Sequence, residues 1–229
     1  MREALAAGLP ALGLSADLAP KLEAFAGLVL ERNRVMSLTA ITAPEEFAAL
    51  HLLDSLAVLQ IAGLTSGQGV DVGTGAGFPG VPLAIALPEA RITLLDSLGK
   101  RVDFLREACG ALGLENTRCV HARAEEFGER ERFDWAVSRA VAPLPMLCEL
   151  SMPLVRVGGR FLAMKSVDTE EELNAAGRAV SLLGGRLEKP IDYVISGTDI
   201  PRRLVIMTKI SETPKKYPRT FAKIKKNPL

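Results

Sequence analysis

Histidine is nearly absent from this chain, with only His51 and His121 among 229 residues, and cysteine is limited to Cys109, Cys119 and Cys148. An odd cysteine count without metal-type spacing argues against a disulfide framework and against a zinc cluster. Cys109 falls in a helical pattern and Cys119 in a strand pattern, so the thiols are expected to be buried in a reducing cytoplasm. Aromatic residues make up 5% of the chain, and neither Tyr193 nor Tyr217 has a lysine four residues on. With so few proton-transfer groups, catalysis built on a histidine or a Tyr–Lys pair is disfavoured. No apolar run approaches the length of a membrane span, and Arg2 and Glu3 open the chain without an apolar segment behind them. The expectation is a cytoplasmic protein without metal or membrane anchor.

What is present is apolar content of 48%, enough for one sizeable α/β domain with an appendage. The net charge of +1 conceals an asymmetry. From Arg202 onward there are nine basic residues against a single acid, Glu212, whereas the preceding residues carry 26 acids and 19 bases. Such a basic, proline-containing end reads as a mobile arm for a polyanion or as a solvated tail, and charge alone does not separate the two.

Residues 1–65 read as a helical appendage. Ser15 is placed to cap a helix carrying Leu18, Leu22, Phe25 and Val29 at helical spacing. Thr42-Ala-Pro-Glu45 has capping-box spacing and opens a second helix to about Gln60. That helix sets Phe47, Leu50, His51 and Asp54 on one face, with His51 and Asp54 either a structural pair or a site-facing one. From 66 to 211 strands and helices alternate, with strands near 69–72, 91–95, 118–121, 133–138 and 159–164. Helices are expected near 80–87, 99–112, 143–156 and 169–184, the last with Thr169 and Glu172 at capping-box spacing. The last two strands, 186–195 and 203–210, have no helix between them. The expected fold is therefore α/β and Rossmann-like, a mostly parallel seven-stranded sheet closed by an antiparallel hairpin, with residues 212–229 as a basic tail.

The richest stretch is Gly69 to Pro82, GVDVGTGAGFPGVP, a short strand running into a glycine loop and then a helix. A loop of this kind brings backbone N–H groups and bare Cα positions against a nucleoside-containing ligand. Gly75, Gly77 and Gly80 match a dinucleotide pattern, while Asp71, Gly73, Gly75 and Gly77 match the acidic-x-G-x-G-x-G pattern of S-adenosylmethionine-dependent methyltransferases. In the second case the acid faces the amino group of the methionine half. Asp96, about 20 residues beyond the glycines, stands where an acid meets a ribose hydroxyl pair. After the third strand, Ala124 and Glu125 are candidates for an adenine ring edge and its amino group; a solvated helix start is the alternative. Arg139 and Lys165 end the fourth and fifth strands, each either a functional cation or half of an ion pair. The closing hairpin favours methyl transfer over a nicotinamide oxidoreductase. A non-catalytic RNA-binding protein retaining the loop is the third reading.

With those residues assembled, the chain resembles the glucose-inhibited division protein B family, bacterial methyltransferases that modify 16S ribosomal RNA. The resemblance runs through His51-Leu-Leu-Asp-Ser-Leu56, Asp71 to Gly80, Leu94 to Arg101, Ala124-Glu-Glu-Phe127, Ser138-Arg-Ala140 and Thr213 to Arg219. It implies S-adenosyl-L-methionine as cofactor, 16S rRNA or the small ribosomal subunit as partner, and N7 of one guanine in a decoding-region loop as target. It also implies cofactor contacts at Gly73, Phe78, Asp96, Ala124, Glu125 and Arg139. The family commonly has Trp-Asn before an Asn-Leu-Thr; here Arg32-Asn33 and Ser37-Leu38-Thr39 stand in those places. Guanine N7 carries an in-plane lone pair, so a chain without an evident base suits it, and catalysis reduces to alignment. Candidate RNA contacts are Lys100, Arg101, Lys165, Lys215, Lys216 and Arg219. Arg139 is expected to orient the methionine carboxylate or a phosphate rather than touch N7. A monomer is expected.

Overall fold

The computed structural model describes residues Met1–Leu229. The amino-terminal part holds helices α1 (Arg2–Ala11), α2 (Ala19–Asn33), α3 (Pro44–Phe47) and α4 (Asp54–Ala62). Then follow β1 (Gly67–Val72), α5 (Gly80–Ala86), β2 (Ala90–Asp96), α6 (Gly99–Ala111), β3 (Thr117–His121) and β4 (Phe133–Arg139). The rest of the chain is α7 (Leu144–Ser151), β5 (Val155–Lys165), α8 (Glu170–Leu182), β6 (Gly185–Leu187), β7 (Ile191–Val194), β8 (Pro201–Lys209) and α9 (Phe221–Lys226).

The sheet order is β3-β2-β1-β4-β5-β8-β6, parallel from β3 through β5 and antiparallel beyond, with β7 also on β8. The chain winds outward from β1 in one direction and then from β4 in the other. In such a sheet the crevice opens where the winding reverses, beyond the carboxyl ends of β1 and β4. The expected strand 186–195 is broken in two, and both pieces lie along the same side of β8, so the sheet has seven lanes. Pro190 sits in the break, where it has no N–H to donate to the ladder.

Both faces of the sheet are covered. One core gathers Leu5, Leu22, Phe25, Phe47 and Leu52 from the amino-terminal helices with Leu94, Trp135 and Val137 from the strands. The other packs Leu147, Cys148, Ala176 and Val180 of α7 and α8 against Val70, Val72 and Ala136. The expected appendage thus shares its core with the sheet, which fixes its helices over the crevice.

Local signals were only partly followed. Ser15 accepts from the Asp17 N–H at 3.2 Å and caps a 3-10 turn, Ala16–Leu18, while α2 itself begins at Ala19 without a side-chain cap. Thr42 does not cap α3, which starts at Pro44 after an uncapped Ala43. Nor does Glu172 close a capping box on Thr169; its carboxylate accepts from the Leu144 N–H at 2.7 Å and pairs with Lys165. Between α3 and α4 the residues Ala48–Leu53 form a π-helix, a wider coil that concentrates at functional positions.

The basic end of the chain is docked, which replaces the expectation of a mobile arm. Arg219 makes a bidentate pair with Glu149, which is fully buried. Thr213 donates its N–H to Glu131 at 2.7 Å, while Arg130 donates to the carbonyls of Thr213 and Tyr217. Lys209, itself buried, donates to the Met152 carbonyl at 2.8 Å and to the Thr213 hydroxyl. Tyr217 and Ile224 are buried in the core that contains α7. A row of distant partners holds the segment; its charge gave no sign of them.

Candidate functional site

Beyond the carboxyl ends of the strands lie two cavities that meet at Gly73, Asp96, Ser97 and Val141. The smaller, of about 380 Å³, is mostly apolar and includes Ala124 and Glu125 in its wall. The larger, of about 740 Å³, is walled by the glycine loop, Phe78, His51, Arg101, Arg139 and Lys165. Together they form one crevice with a carboxylate-bearing end and a cationic end.

The glycine loop divides its work. Gly75 has φ +60°, and a Cβ there would meet no protein atom nearer than 3.9 Å, so it would intrude into the crevice. Gly73 has φ +74°, and its Cβ would strike Val141 at 2.6 Å. Only residues without side chains leave this surface bare for a ligand. Gly77 faces the other way; its Cβ would collide with Val81, Leu105 and Phe25 at under 3 Å, so it serves packing and lies outside the cavity walls. Asp71 likewise differs from expectation. It is fully buried behind the loop, where Oδ2 accepts from the Gly80 N–H at 2.8 Å and Oδ1 has no partner. Burial pushes its carboxyl up to about 6.

Asp96 spans the loops on either side of it. Its Oδ2 accepts from the Gly75 N–H at 2.9 Å and its Oδ1 from the Leu98 N–H at 2.8 Å, and Arg101 lies 3.7 Å away. It borders both cavities. Ala124 and Glu125 begin a short 3-10 turn after β3, with the Glu125 carboxylate 3.8 Å from Arg123.

At the cationic end, Arg139 leaves β4 next to Ala140, whose φ of +55° is strained for a residue with a side chain. Its Nη1 donates to the Leu50 carbonyl at 3.0 Å and to Asp54 at 2.9 Å, and its Nη2 to His51 Nδ1 at 3.3 Å. Three of its N–H groups are thus engaged, which leaves two of the guanidinium's five for a ligand. Asp54 is 1% exposed and also accepts from the Tyr193 hydroxyl at 2.9 Å, with Arg202 at 3.8 Å. His51 and Asp54 therefore belong to one cluster with Arg139. Tyr193 and Arg202 were missed, because nothing local to β7 or β8 marks them and their partner lies well over a hundred positions upstream.

Because an arginine can only donate, His51 Nδ1 is an acceptor and Nε2 carries the proton. Nε2 then donates to the Thr39 hydroxyl at 2.7 Å, and Thr39 is placed by Asn33, whose side chain spans Leu38 and Thr39. The ring stacks on Phe78 with centroids 4.6 Å apart. Burial, then the charges of Arg139 and Arg202, lower its pKa to about 4. The unfolded chain takes up this proton near 6.5, so falling pH favours unfolding until the folded protein also protonates near 4. Relative to a His51→Gln variant, the wild type should lose roughly 1–2 kcal/mol between those pH values, a range discounted for the partial exposure of the ring. Denaturant titrations at several pH values measure it. Asp71 acts in the opposite sense there but is common to both proteins, so the difference reports His51 alone.

The remaining candidates separate by availability. Lys165 is paired with Glu172 at 2.7 Å, and Arg101 faces Asp96. Lys100, Lys215 and Lys216 are exposed. Arg219 is tied to Glu149 and is not free for a phosphate. No group of three or more His, Cys, Asp or Glu is placed to hold a metal ion, and no helix is long and apolar enough to cross a membrane.

The chain matches the profile of the GidB family, described as rRNA small subunit methyltransferase G, over residues 18–192. A ribosomal RNA small subunit methyltransferase G of Pelotomaculum thermopropionicum is 47% identical, the match covering 91% of this chain and 90% of that protein. The protein of the same name from Acetivibrio thermocellus is 42% identical over 100% of this chain and 97% of its own length. Among solved structures, a SAM-dependent methyltransferase from Aquifex aeolicus superposes with a TM-score of 0.55 at 17% identity, covering 72% of this chain and 93% of that one. TYW2 of M. jannaschii in complex with AdoMet gives 0.52 at 14%, covering 62% and 67%. At such identities the two structures share the fold.

Proposed function

Since the chain belongs to the rRNA small subunit methyltransferase G family, we propose that it methylates N7 of one guanine in a decoding-region loop of 16S rRNA. It is an S-adenosyl-L-methionine-dependent methyltransferase. The crevice suits that cofactor in ways independent of the family. Gly73 and Gly75 leave a bare backbone at its centre, Asp96 and Glu125 supply carboxylates for hydroxyl and amino groups at one end, and Arg139 keeps donors free at the other.

The bound cofactor supplies an electrophilic methyl group on a sulfonium with a good leaving group. The chain's own residues need only hold the acceptor nitrogen in line with it, because guanine N7 offers a lone pair and loses no proton. The observation that carries this reading is charge compensation. Of the four cations lining the larger cavity, Arg139 and Arg202 share Asp54, Lys165 pairs with Glu172 and Arg101 faces Asp96, so each has a carboxylate at 3.8 Å or less. Methyl transfer to N7 moves a positive charge onto the guanine, and an uncompensated cation nearby would oppose it. Arg139 then orients the methionine carboxylate through its remaining N–H groups, with Asp71 supporting the glycine loop from behind and Phe78 flooring the larger cavity. Lys100, Lys215 and Lys216 are exposed and offer phosphate contacts, with the enzyme acting as a cytoplasmic monomer.

The test is transfer of labelled methyl from S-adenosylmethionine to small subunits lacking the modification, followed by borohydride–aniline cleavage, which cuts at N7-methylguanine. One new cut in a 16S loop is expected. Label without a cut would move the target atom, and no label would remove the activity.

A further inference from the structure

The smaller cavity has a wall that neither the glycine loop nor the strand ends provide. Phe221 and Lys225 of α9 line it together with Asp96, Ala124 and Glu125. Phe221 keeps 36% of its surface exposed, although Ile224 on the same short helix is fully buried. An aromatic ring on a firmly seated helix, open on the side of an apolar cavity, is a surface waiting for a flat partner. The Arg123 guanidinium, which also lines this cavity, lies 5.5 Å from the ring centroid.

The ring is also held in place before any ligand arrives. The segment leading to α9 is fixed by Lys209 and Glu131 at Thr213, by Arg130 at Tyr217 and by the buried Glu149 at Arg219. None of these attachments uses Phe221. Preorganisation of this kind lowers the entropic cost of binding.

We propose that Phe221 forms the stacking face of the nucleoside site, packing on the purine of the cofactor while Glu125 meets its edge. The C-terminal segment is then part of the cofactor site as well as the carrier of the exposed Lys215 and Lys216. This rests on the reading of the smaller cavity as the adenosine half. Stacking depends on ring overlap and not on hydrogen bonding, so any aromatic side chain serves.

The experiment is calorimetric titration of the full-length protein with S-adenosylhomocysteine and with adenosine, comparing wild type, Phe221→Ala and Phe221→Trp. The alanine variant should bind both ligands about tenfold more weakly, the tryptophan variant within about twofold of wild type. In methylation of small subunits, Phe221→Ala should raise KM for S-adenosylmethionine by the same factor and leave kcat unchanged. Equal affinity in wild type and Phe221→Ala overturns the proposal. So does a tryptophan variant as weak as alanine, because the site would then need the shape of phenylalanine and not a stacking face. Loss of S-adenosylhomocysteine affinity with adenosine affinity untouched would place the ring away from the purine. Failure of the wild type itself to bind S-adenosylhomocysteine would strike the cofactor assignment, and Phe221 with it.

Discussion

Arg139→Ala is expected to lower methyl transfer by a factor of about 100 or more and to destabilise the protein by roughly 3 kcal/mol. The two losses have different origins. Asp54 is buried at 1% exposure and holds its charge against Arg139, with Tyr193 donating and Arg202 at 3.8 Å. Removing the guanidinium leaves a buried carboxylate whose nearest remaining cation is at that longer distance. The stability loss, read from denaturant midpoints, should therefore be largely recovered when Asp54→Asn is added, because the buried charge is gone. Activity should not return with it, since the donors aimed at the ligand are still missing. Arg139→Lys separates the same terms from the other side. It restores the charge but not the planar fork that reaches Leu50, Asp54 and His51 together, so it should regain stability and little rate. An Arg139→Ala/Asp54→Asn protein as unstable as the single variant would show that the carboxylate is not what suffers.

Asp96→Ala should weaken S-adenosylmethionine binding by about 100-fold while leaving affinity for the small subunit unchanged. Two N–H donors, from Gly75 and Leu98, lose their acceptor, and each bond to a charged group contributes about 1.5–3 kcal/mol. The loop that carries Gly73 and Gly75 is then no longer tied to the end of β2, and the proposed ribose contact is lost besides. Asp96→Asn keeps one acceptor oxygen and should lose about tenfold. Calorimetry with the cofactor and filter binding with small subunits measure the two affinities separately. Unaltered cofactor affinity in Asp96→Ala would remove this carboxylate from the site.

Four of the five parallel strands, β1, β2, β4 and β5, were legible because each carries an apolar run and leads into a helix of matching pattern, and the glycine loop marks the first turn. The candidates at strand ends, Asp96, Glu125 and Arg139, line the crevice to which position alone assigned them, since an α/β sheet opens at its carboxyl edge. Residues that contribute through distant partners were not legible. Nothing in the neighbourhood of Tyr193 or Arg202 announces Asp54, and nothing near Arg219 announces Glu149. The capping-box spacing at Thr169 and Glu172 misled for the same reason: Glu172 has better partners in Lys165 and the Leu144 N–H than its own helix offers. Asp71 and Gly77 match a ligand-binding pattern by spacing, yet their geometry serves the loop's support and packing. A motif specifies a backbone path, and only some of its residues need touch what the path holds.

The cluster around Asp54 has a temporal side. Its members are drawn from α4, β4, β7 and β8, and the anchors of the C-terminal segment join residues near 130 and 149 to residues beyond 212. A chain made from its amino terminus can therefore settle the amino-terminal helices and the first strands early, and Asp54 gains Arg139 midway, but it waits for β7 and β8 before Tyr193 and Arg202 exist. A chain that stops before β7 thus carries Asp54 and Arg139 but lacks the Tyr193 and Arg202 that complete their cluster.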